Sequence, residues 1–531
     1  MKRINKFHIY IISIAMSFGM VSCLNSIDDN PIDPSKIMTF NQEEVFSKVY
    51  AGWALSGQKV TGAADITLNA GEDEGRTVLY RCLWNMYEVT TDEAICQWGD
   101  GEVVKLQSNS FTTDNALIKY CYSRLYINIA TANLFLQKTE SATDEITSKQ
   151  RAEVRFIRAL DYYYLLDLYG NVPFVTSVVV DPPKQILRAD LFAWLKKELQ
   201  AIENDMYAPK QAPYYRLDRA ANWLLQSRLY LNHKVYLGTE SPAYYTDAAS
   251  YSYKVISSDY DLAKKYTNLF SGDNAGTIDG STNDAPKEII FPIAVDSIKT
   301  QNWGTSTFLI VGSSTSDMPS TGVNMAGWAG NRARKALVEK FISASSWAEV
   351  DTLKTIAKDD RALFFTKGRT LEIKSITDFK QGASVIKYTN MRADKKYTFP
   401  SMPNMDVPFM RKAEAYLTYA EAVTRGGTAQ AYTAVEAVNK LRTRANATQL
   451  NAINLNTLCD EWAREFYFEG RRRLDLIRFG KFGGQSDYLW DWQGGVASGT
   501  LFSADYNLMP IPSDDISANP NLLQNHGYTQ Q

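Results

Sequence analysis

The chain has 531 residues, of which 45% are apolar and 22% charged. This balance excludes a disordered chain, and the length predicts two or three domains or one extended array. With 57 basic and 59 acidic side chains the net charge is −2, which excludes a protein that binds nucleic acid through electrostatics.

Aromatic residues are abundant, whereas histidine is scarce. The chain contains 31 tyrosines, 23 phenylalanines and 11 tryptophans but 3 histidines. Few imidazole groups are therefore present for acid–base catalysis or metal binding, whereas flat apolar side chains are plentiful.

Residues 1–22 have the pattern of a secretory signal peptide. Lys2, Arg3 and Lys6 form a positive start, and a mainly apolar run follows from Ile9 to Val21. A membrane-spanning helix needs roughly 20 residues, so this run is too short for one. It is typical of a segment that is removed after export.

The signal peptide is followed by a candidate lipidation site. Met20-Val21-Ser22-Cys23 resembles a bacterial lipobox, in which the cysteine is acylated and becomes the new N-terminus. We predict a lipidated Cys23 and a flexible tether over 23–39, with the acyl chains supplying the membrane anchor. The alternative is that Cys23 is an incidental residue of a soluble secreted protein.

Most of the chain from 40 to about 480 has helical periodicity. Asn41 and Glu44 form a capping-box pattern before the first helix, and Asp114 is a candidate cap for the second. The third predicted helix spans 148–169, and Gly170 and Pro173 predict its end. Further along the chain, predicted helices span 189–206, 217–236, 410–424 and 428–445.

These helices predict a mostly α fold built from packed pairs. Small residues such as Ala159, Ala220 and Ala420 recur beside aromatic ones, as in tetratricopeptide helix pairs. No 34-residue period is present, so the repeat is degenerate. We expect residues 40–531 to form a single helical domain, decorated by long loops and short strands.

Long segments without helical period interrupt the helices. Residues 57–110 are rich in Gly and Thr, 271–286 form a polar loop, and 289–335 begin with a strand-like run. Long loops in a folded chain commonly carry function. We therefore expect a ligand site on the loops at about 57–110 and 271–335.

Three tryptophans in these loops are candidate ligand contacts. Each of Trp98, Trp303 and Trp328 has a glycine as its neighbour, which indicates a loop position open to close approach. A neutral oligosaccharide is bound by aromatic planes together with a few hydrogen-bonding groups. Core packing is the other interpretation of any one of these tryptophans.

Several blocks of the chain resemble the RagB/SusD family. They are QRAEVRFIRAL at 150–160, DLYGNVPF at 167–174, AEAYLTYAEA at 413–422, VNKLRTRA at 438–445, EFYFEGRRRLDLIRFG at 465–480, MPIP at 509–512 and QNHGY at 524–528. The blocks occur in the family's order and, together with the lipobox, cover nearly the whole chain.

The resemblance implies a SusD-like fold and a lipid-anchored protein on the extracellular side of the outer membrane. Members of the family cap a SusC-like TonB-dependent β-barrel transporter and deliver captured glycans or peptides to it. Similarity to the starch-binding members extends into variable segments, so the implied ligands are starch and maltooligosaccharides. No nucleic-acid partner is implied.

The resemblance also implies roles for particular residues. The starch-binding members carry aromatic side chains at the positions of Trp98, Trp303 and Trp328, where they form an arc against the glucan helix. Arg81 matches a hydrogen-bonding arginine of those members.

Polar contacts near the tryptophans are expected to differ from those of the relatives. Asp100 and Asn302 are candidate ligand contacts. Gly101 stands where the starch-binding members have an amide side chain, and Cys96 where they can have another tryptophan. Affinity or linkage preference can therefore differ.

The sequence lacks the common catalytic motifs. No HExxH, GxSxG or P-loop pattern occurs, and His233 and His526 are expected to be structural. Acids are plentiful, so a two-carboxylate glycosidase stays an alternative, and the acids near Trp98 are the group to suspect. These acids are Asp92, Glu93, Asp100 and Glu102.

No cofactor is expected, although one loop could hold a structural calcium ion. Its oxygen donors would be Asp273, Asn274, Asp279 and Asp284, which lack EF-hand spacing. Four cysteines without metal-binding spacing are expected as small buried side chains, with a Cys82–Cys96 bridge left open. They are Cys82, Cys96, Cys121 and Cys459.

A cluster of charges near residue 465 has helical spacing. Its members are Glu461, Arg464, Glu465, Glu469, Arg472 and Arg473. Their i,i+3 and i,i+4 separations predict an ion-pair face of a helix rather than a catalytic site.

The leading hypothesis is a non-enzymatic protein that captures starch-like α-glucans at the cell surface and delivers them to a partner barrel. Two alternatives remain. One is a member of the same family that imports another glycan or peptides, and the other is a glycoside hydrolase.

Overall fold

The structure is a computed structural model that describes residues 40–57 and 61–529. The predicted signal peptide at 1–22, the lipidation site Cys23 and the tether at 23–39 lie outside the described residues. These assignments and the predicted domain limits stay predictions.

Packing divides the chain into two units, Met1–Val45 and Phe46–Gln531. In the described part of the first unit, Oδ1 of Asn41 accepts from the amide of Glu44 at 3.4 Å, and Nδ2 of Asn41 donates to Oε1 of Glu44 at 2.8 Å. The first of these bonds confirms Asn41 as the predicted cap. The second unit contains the elements that follow the first helix.

Helices account for 44% of the described residues and strands for 6%, which confirms the mostly α prediction. The α-helices are α1 (Gln42–Ala54), α2 (Leu79–Trp84), α3 (Gly101–Gln107), α4 (Ala116–Lys138), α5 (Glu145–Leu168), α6 (Arg188–Ile202), α7 (Arg219–Leu231), α8 (His233–Leu237), α9 (Pro242–Ile256), α10 (Ser306–Val311), α11 (Lys335–Val338), α12 (Lys354–Ala357), α13 (Lys412–Thr424), α14 (Ala434–Arg444), α15 (Leu455–Phe466), α16 (Arg472–Arg478) and α17 (Ser513–Ala518).

The strands of the described chain are short and form two-stranded antiparallel sheets. They are β1 (Ala94–Cys96), β2 (Val172–Pro173), β3 (Gln185–Ile186), β4 (Ile289–Ile293), β5 (Asn331–Ala333), β6 (Phe364–Phe365), β7 (Ser384–Val385) and β8 (Val407–Arg411). The pairs are β1 with β5, β2 with β3, β4 with β8 and β6 with β7. Strand β4 is the predicted strand-like run.

The two longest described helices, α4 and α5, each begin at a capping side chain. Asp144 accepts a hydrogen bond from the amide of Thr147 at 2.8 Å and begins α5, and Gly170 with φ +74° follows its end. At α4 the predicted cap Asp114 is wrong by one residue. Oδ1 of Asn115 accepts from the amide of Leu117 at 3.1 Å, which satisfies an N-terminal donor of the helix.

The expectation that 57–110 lacks helix is wrong for residues 79–89 and for α3 (Gly101–Gln107). Helix α2 leads directly into a π-helical turn at Asn85–Val89. Every residue of α2 is buried, so the segment has no polar face that would produce a helical period in the sequence.

The long helices pack as neighbouring pairs. Helix α4 packs on α5 and α5 on α6, while α7 packs on α9, α9 on α13 and α13 on α14. Buried alanines, among them Ala220 of α7, Ala248 of α9 and Ala420 of α13, lie on these helices. Every helix within 40–57 and 61–529 is too short or too polar to cross a bilayer.

The charged cluster near residue 465 forms ion pairs, but these pairs are buried and join separate elements. Glu465 of α15 is fully buried and pairs with Arg361 at 3.1 Å and Arg411 at 2.6 Å. The i,i+3 pair of Glu461 and Arg464 is also present, at 3.1 Å. The cluster therefore holds the fold together from inside.

Candidate functional site

Pairing of β1 with β5 brings two of the predicted tryptophans together. Cys96 is opposite Asn331 in this sheet, and the amide of Gln97 donates to the carbonyl of Gly330 at 3.0 Å. Trp98 lies just after β1 and Trp328 just before β5. Two loops that are 230 residues apart therefore meet, and Nε1 of Trp98 donates to the carbonyl of Trp328 at 3.2 Å.

Helix α10 brings the third tryptophan to the same place. Trp303 precedes this helix, and Val311, its last residue, accepts a hydrogen bond from the amide of Trp328 at 2.9 Å. One short helix thus fixes the Trp303 loop relative to the Trp328 loop.

Trp98, Trp303 and Trp328 form the tryptophan cluster, with Trp328 in its centre. The Trp328 ring lies 6.4 Å from that of Trp98 and 5.8 Å from that of Trp303, measured between centroids. The ring planes turn by 50° and 59° at these two contacts. All three side chains are partly exposed, so the cluster is a bent aromatic surface that solvent can reach.

Arg81 lies beneath this surface. Its guanidinium is 5.7 Å from the centroid of Trp98 and 4.8 Å from that of Phe308, distances at which a cation is attracted to an aromatic ring. Its Nη1 donates to Oδ1 of Asp73 at 2.8 Å and to the carbonyl of Trp303 at 3.3 Å. Arg81 is buried and holds two of the tryptophans in place.

Asn302 is buried as well, although it adjoins Trp303 in the sequence. Its Nδ2 donates to the carbonyl of Ala54 at 3.0 Å, and its Oδ1 accepts from the amides of Gly304 and Thr305 at 2.8 and 3.0 Å. Both ends of the amide are used by the protein. The structure therefore gives Asn302 the task of holding the Trp303 loop.

Asp100 lies at the exposed rim beside Trp98. Its carboxylate is 3.7 Å from Nη1 of Arg76, and the same guanidinium pairs with Glu102 at 3.3 Å and Glu72 at 3.2 Å. The carboxylates of Asp73 and Asp100 remain 42% and 44% exposed in spite of their arginine partners. They can accept hydrogen bonds from hydroxyl groups of a ligand.

The carboxylates suspected of hydrolysis do not form one group. Asp92 and Glu93 are fully buried, and Asp92 accepts from Nε of Arg472 at 2.7 Å. Burial and the nearby Glu88 carboxyl raise the pKa of Glu93 well above its usual range. These two acids are enclosed in the protein, whereas Asp100 and Glu102 lie at the rim.

The loop considered for calcium is closed by internal hydrogen bonds. Asp273 accepts from the hydroxyl of Ser281 at 2.7 Å, from Nδ2 of Asn283 at 3.1 Å and from the amide of Ala393 at 2.9 Å. Within the described ranges, no three His, Cys, Asp or Glu side chains come together as a group that could hold a metal ion.

The cysteines and the buried histidine have structural positions. Cys82 and Cys96 are free and buried, so the bridge left open in the sequence is absent; burial raises the pKa of each thiol to about 12. Nδ1 of His233 contacts the carbonyl of Tyr230 at 2.7 Å, and its Nε2 accepts from the amide of Ser241 at 2.8 Å.

Sequence reasoning missed three residues of the site. Phe308 lies under Arg81, Asp73 pairs with Arg81, and Arg76 ties together the acids at the rim. Phe308 sits in an apolar helix and the other two in a polar loop. The sequence around them contains no signal that would distinguish them from their neighbours.

Two family models match the chain. The one described as "SusD family" matches residues 362–528, and the one described as "Starch-binding associating with outer membrane" matches residues 64–231. Starch-binding protein SusD of Bacteroides thetaiotaomicron is 40% identical over 550 residues, covering 97% of each chain. SusD-like protein P25 of Formosa agariphila is 26% identical over 76% of this chain and 78% of that one.

Solved structures share the fold. A SusD homolog from Bacteroides thetaiotaomicron has a TM-score of 0.68 at 19% identity, covering 94% of this chain and all (100%) of that one. Surface glycan-binding protein A from the same organism, in complex with laminarihexaose, has a TM-score of 0.67 at 18% identity, covering 91% and 98%. At these identities the likeness concerns the fold alone.

Proposed function

The chain belongs to the SusD family, and we propose that it binds starch-like α-glucans at the cell surface without cleaving them. It then delivers them to a TonB-dependent outer-membrane transporter. The observation that carries this proposal is the bent, partly exposed surface of Trp98, Trp303 and Trp328.

The chemistry of this surface suits a sugar polymer. An aromatic side chain can bury roughly 150–250 Å², and the apolar faces of glucose rings are of a size to lie on indoles. Successive planes that turn by 50° and 59° match a ligand that curves, as an α-1,4-glucan does, better than a flat one. The exposed carboxylates of Asp73 and Asp100 supply acceptors for its hydroxyl groups.

The relatives support the choice of ligand. The curated protein that is 40% identical over 97% of the chain is named a starch-binding protein. Arg81 and Asn302 are assigned as positioning residues, because both are buried and bonded within the protein. The ligand would contact the three tryptophans and the exposed carboxylates of Asp73 and Asp100.

The proposal includes the location and the partner. We assign the protein to the extracellular side of the outer membrane, anchored through an acylated Cys23, with a SusC-like barrel as the transporter. One family description that names the outer membrane supports this assignment. Isolation of membranes followed by recovery of a large β-barrel protein with this chain would test the partnership.

The binding site is tested by removing the indoles. We expect the triple variant W98A/W303A/W328A to lose retardation in amylopectin gels. Because Trp328 contacts both other rings, W328A alone should weaken binding most among the single variants, by about thirtyfold or more. W347A is the matched control, since Trp347 is also partly exposed and lies outside the cluster.

Three outcomes would contradict the proposal. Unchanged retardation of the triple variant would remove the site. Selective binding of another glycan or of peptides on an array would favour the other importers of the family. New reducing ends on incubation of the pure protein with maltooligosaccharides would favour a hydrolase.

A further inference from the structure

Two strongly exposed aromatic side chains lie on the loop at 395–399. Tyr397 is 46% and Phe399 56% exposed. Among the described residues they are the most exposed aromatic side chains, more so than the three tryptophans. Exposed apolar groups that occur together mark interaction sites more often than isolated ones do.

The end of this loop is bonded to both tryptophan-bearing loops. The carbonyl of Pro400 accepts from the amide of Asn324, four residues before Trp328, at 2.8 Å. Oδ1 of Asn404 accepts from the amide of Ser297, on the segment that leads to Trp303, at 2.9 Å. The end of the loop is therefore tied to the two segments that carry Trp328 and Trp303.

The beginning of the loop is fixed as well. The carboxylate of Asp273 accepts from the amides of Ala393 and Asp394 at 2.9 and 3.2 Å. Arg392 and Asp394 form an ion pair at 2.6 Å. Both ends of the exposed segment 395–399 are thus held by the body of the protein.

The length of the connecting chain sets an upper limit on the distance between this loop and the cluster. An extended chain spans at most about 3.6 Å per residue, so Asn324 and Trp328 are no more than roughly 14 Å apart. With the 2.8 Å hydrogen bond to Pro400, the backbone of Phe399 lies within roughly 25 Å of that of Trp328.

The spacing of the two rings favours a common face. Residues i and i+2 of an extended segment point to the same side. Phe399 precedes a proline, which restricts it to extended conformations, and 395–400 contains no helix. Tyr397 and Phe399 can therefore present two aromatic planes to one ligand.

We propose that Tyr397 and Phe399 form a second aromatic contact for long α-glucans, which grips the polymer beyond the sugars that cover Trp98, Trp328 and Trp303. The inference rests on the proposed function and adds a dependence on chain length to it. A short oligosaccharide would fill the cluster alone. A polymer would engage both contacts, so that the second would act at a high effective concentration.

The test compares a short and a long ligand. We expect Y397A/F399A to bind maltotriose with wild-type affinity in calorimetry, and to bind amylopectin about tenfold more weakly in affinity gels. The matched control is V178A/V180A, which removes two other exposed side chains, 51% and 102% exposed, at the same spacing. The control should keep both affinities.

The possible failures are distinguishable. If W98A/W303A/W328A loses both ligands while Y397A/F399A keeps the amylopectin affinity of the wild type, the second contact is wrong and the proposed function stands. If Y397A/F399A weakens maltotriose and amylopectin equally, the rings belong to the primary site and the inference is wrong. If the wild type binds no α-glucan, both proposals fail.

Discussion

Trp98 can lie against Trp328 because a glycine stands beside its ring. A Cβ atom on Gly330 would come within 2.4 Å of Cζ2 of Trp98, well inside the contact distance of two carbon atoms. The carbonyl of Gly330 also accepts from the amide of Gln97 at 3.0 Å, so this backbone cannot move away freely. The place of the indole therefore depends on the absence of one methyl group.

We expect G330A to displace the Trp98 ring and to weaken binding of amylopectin by about tenfold. The matched control is G99A, because a Cβ on Gly99 would meet open space. Affinity gels of both variants measure the effect. If G330A and G99A both bind as the wild type does, the position of Trp98 does not govern affinity.

The sequence indicates the three tryptophans but not the groups that hold them. Each tryptophan could be chosen because it adjoins a glycine in a segment without helical period. The role of Asn302 could not be determined from the sequence. An amide side chain next to a tryptophan can bond to a ligand or, as here, to the carbonyl of Ala54. The pairing of Asp73 with Arg81 depends on backbone geometry that residue types do not determine.

At the scale of elements, capped or amphipathic helices were predictable, whereas the fully buried α2 was not. Helix α5 begins at the capping side chain of Asp144, and α6 buries a stripe that includes Leu191, Leu195 and Leu199; the predicted ranges of both are confirmed within a few residues. Helix α2 has no polar face, so no period marks it. The pairing of β1 with β5, which assembles the site, joins two runs of three residues that are too short to be recognised in a sequence.

Two buried carboxyls, Glu88 of the π-helical turn and Glu93 directly before β1, bond to the turn that precedes α16. Oε1 of Glu88 accepts from the amides of Gly470 and Arg471 at 2.7 and 2.9 Å, and Oε2 of Glu93 accepts from the amide of Phe468 at 3.2 Å. Burial raises the pKa of Glu88 to about 7. At mildly acidic pH the Glu88 carboxyl in this contact is therefore largely protonated.

This contact predicts a pH dependence of stability. The pKa of Glu88 is higher in the folded protein than its value of about 4.3 in an unfolded chain. Its contribution to the free energy of unfolding is therefore fully present below about pH 4.3. The contribution is lost as the pH rises through about 7. We expect E88Q, which keeps the acceptor oxygen and removes the titration, to lose less stability than the wild type between about pH 5 and about pH 8.

Thermal unfolding of both proteins across this pH range measures the difference in slope. E339Q is the control, since it removes a carboxylate whose side chain is 38% exposed and should leave the wild-type slope. Parallel curves for E88Q and the wild type would show that Glu88 does not titrate in this range.

At the scale of the whole molecule, buried ion pairs join strands and helices that are far apart in the chain. Arg411, at the end of β8, donates to Glu469 at 2.8 Å and to Glu465 of α15 at 2.6 Å. Its Nη1 is also 3.1 Å from Glu288, which precedes β4. A single guanidinium thus links β8 to the start of β4 and to the C-terminal end of α15.

We expect R411M to lower the free energy of unfolding by about 3–5 kcal/mol, because the methionine would remove one counter-charge from three buried carboxylates. Urea unfolding measures the change. The matched control is K234M, which removes an ion pair whose side chains are 54% and 46% exposed and should cost no more than about 1 kcal/mol.

R411K restores one charge without the fork of donors, so its stability should lie between those of R411M and the wild type. Equal stabilities of R411M and K234M would show that this network contributes no more than a surface pair. The glucan affinity of folded R411M should stay at the wild-type value, because the hydrogen bonds of Arg411 go to Glu288, Glu465 and Glu469 and to none of the three tryptophans.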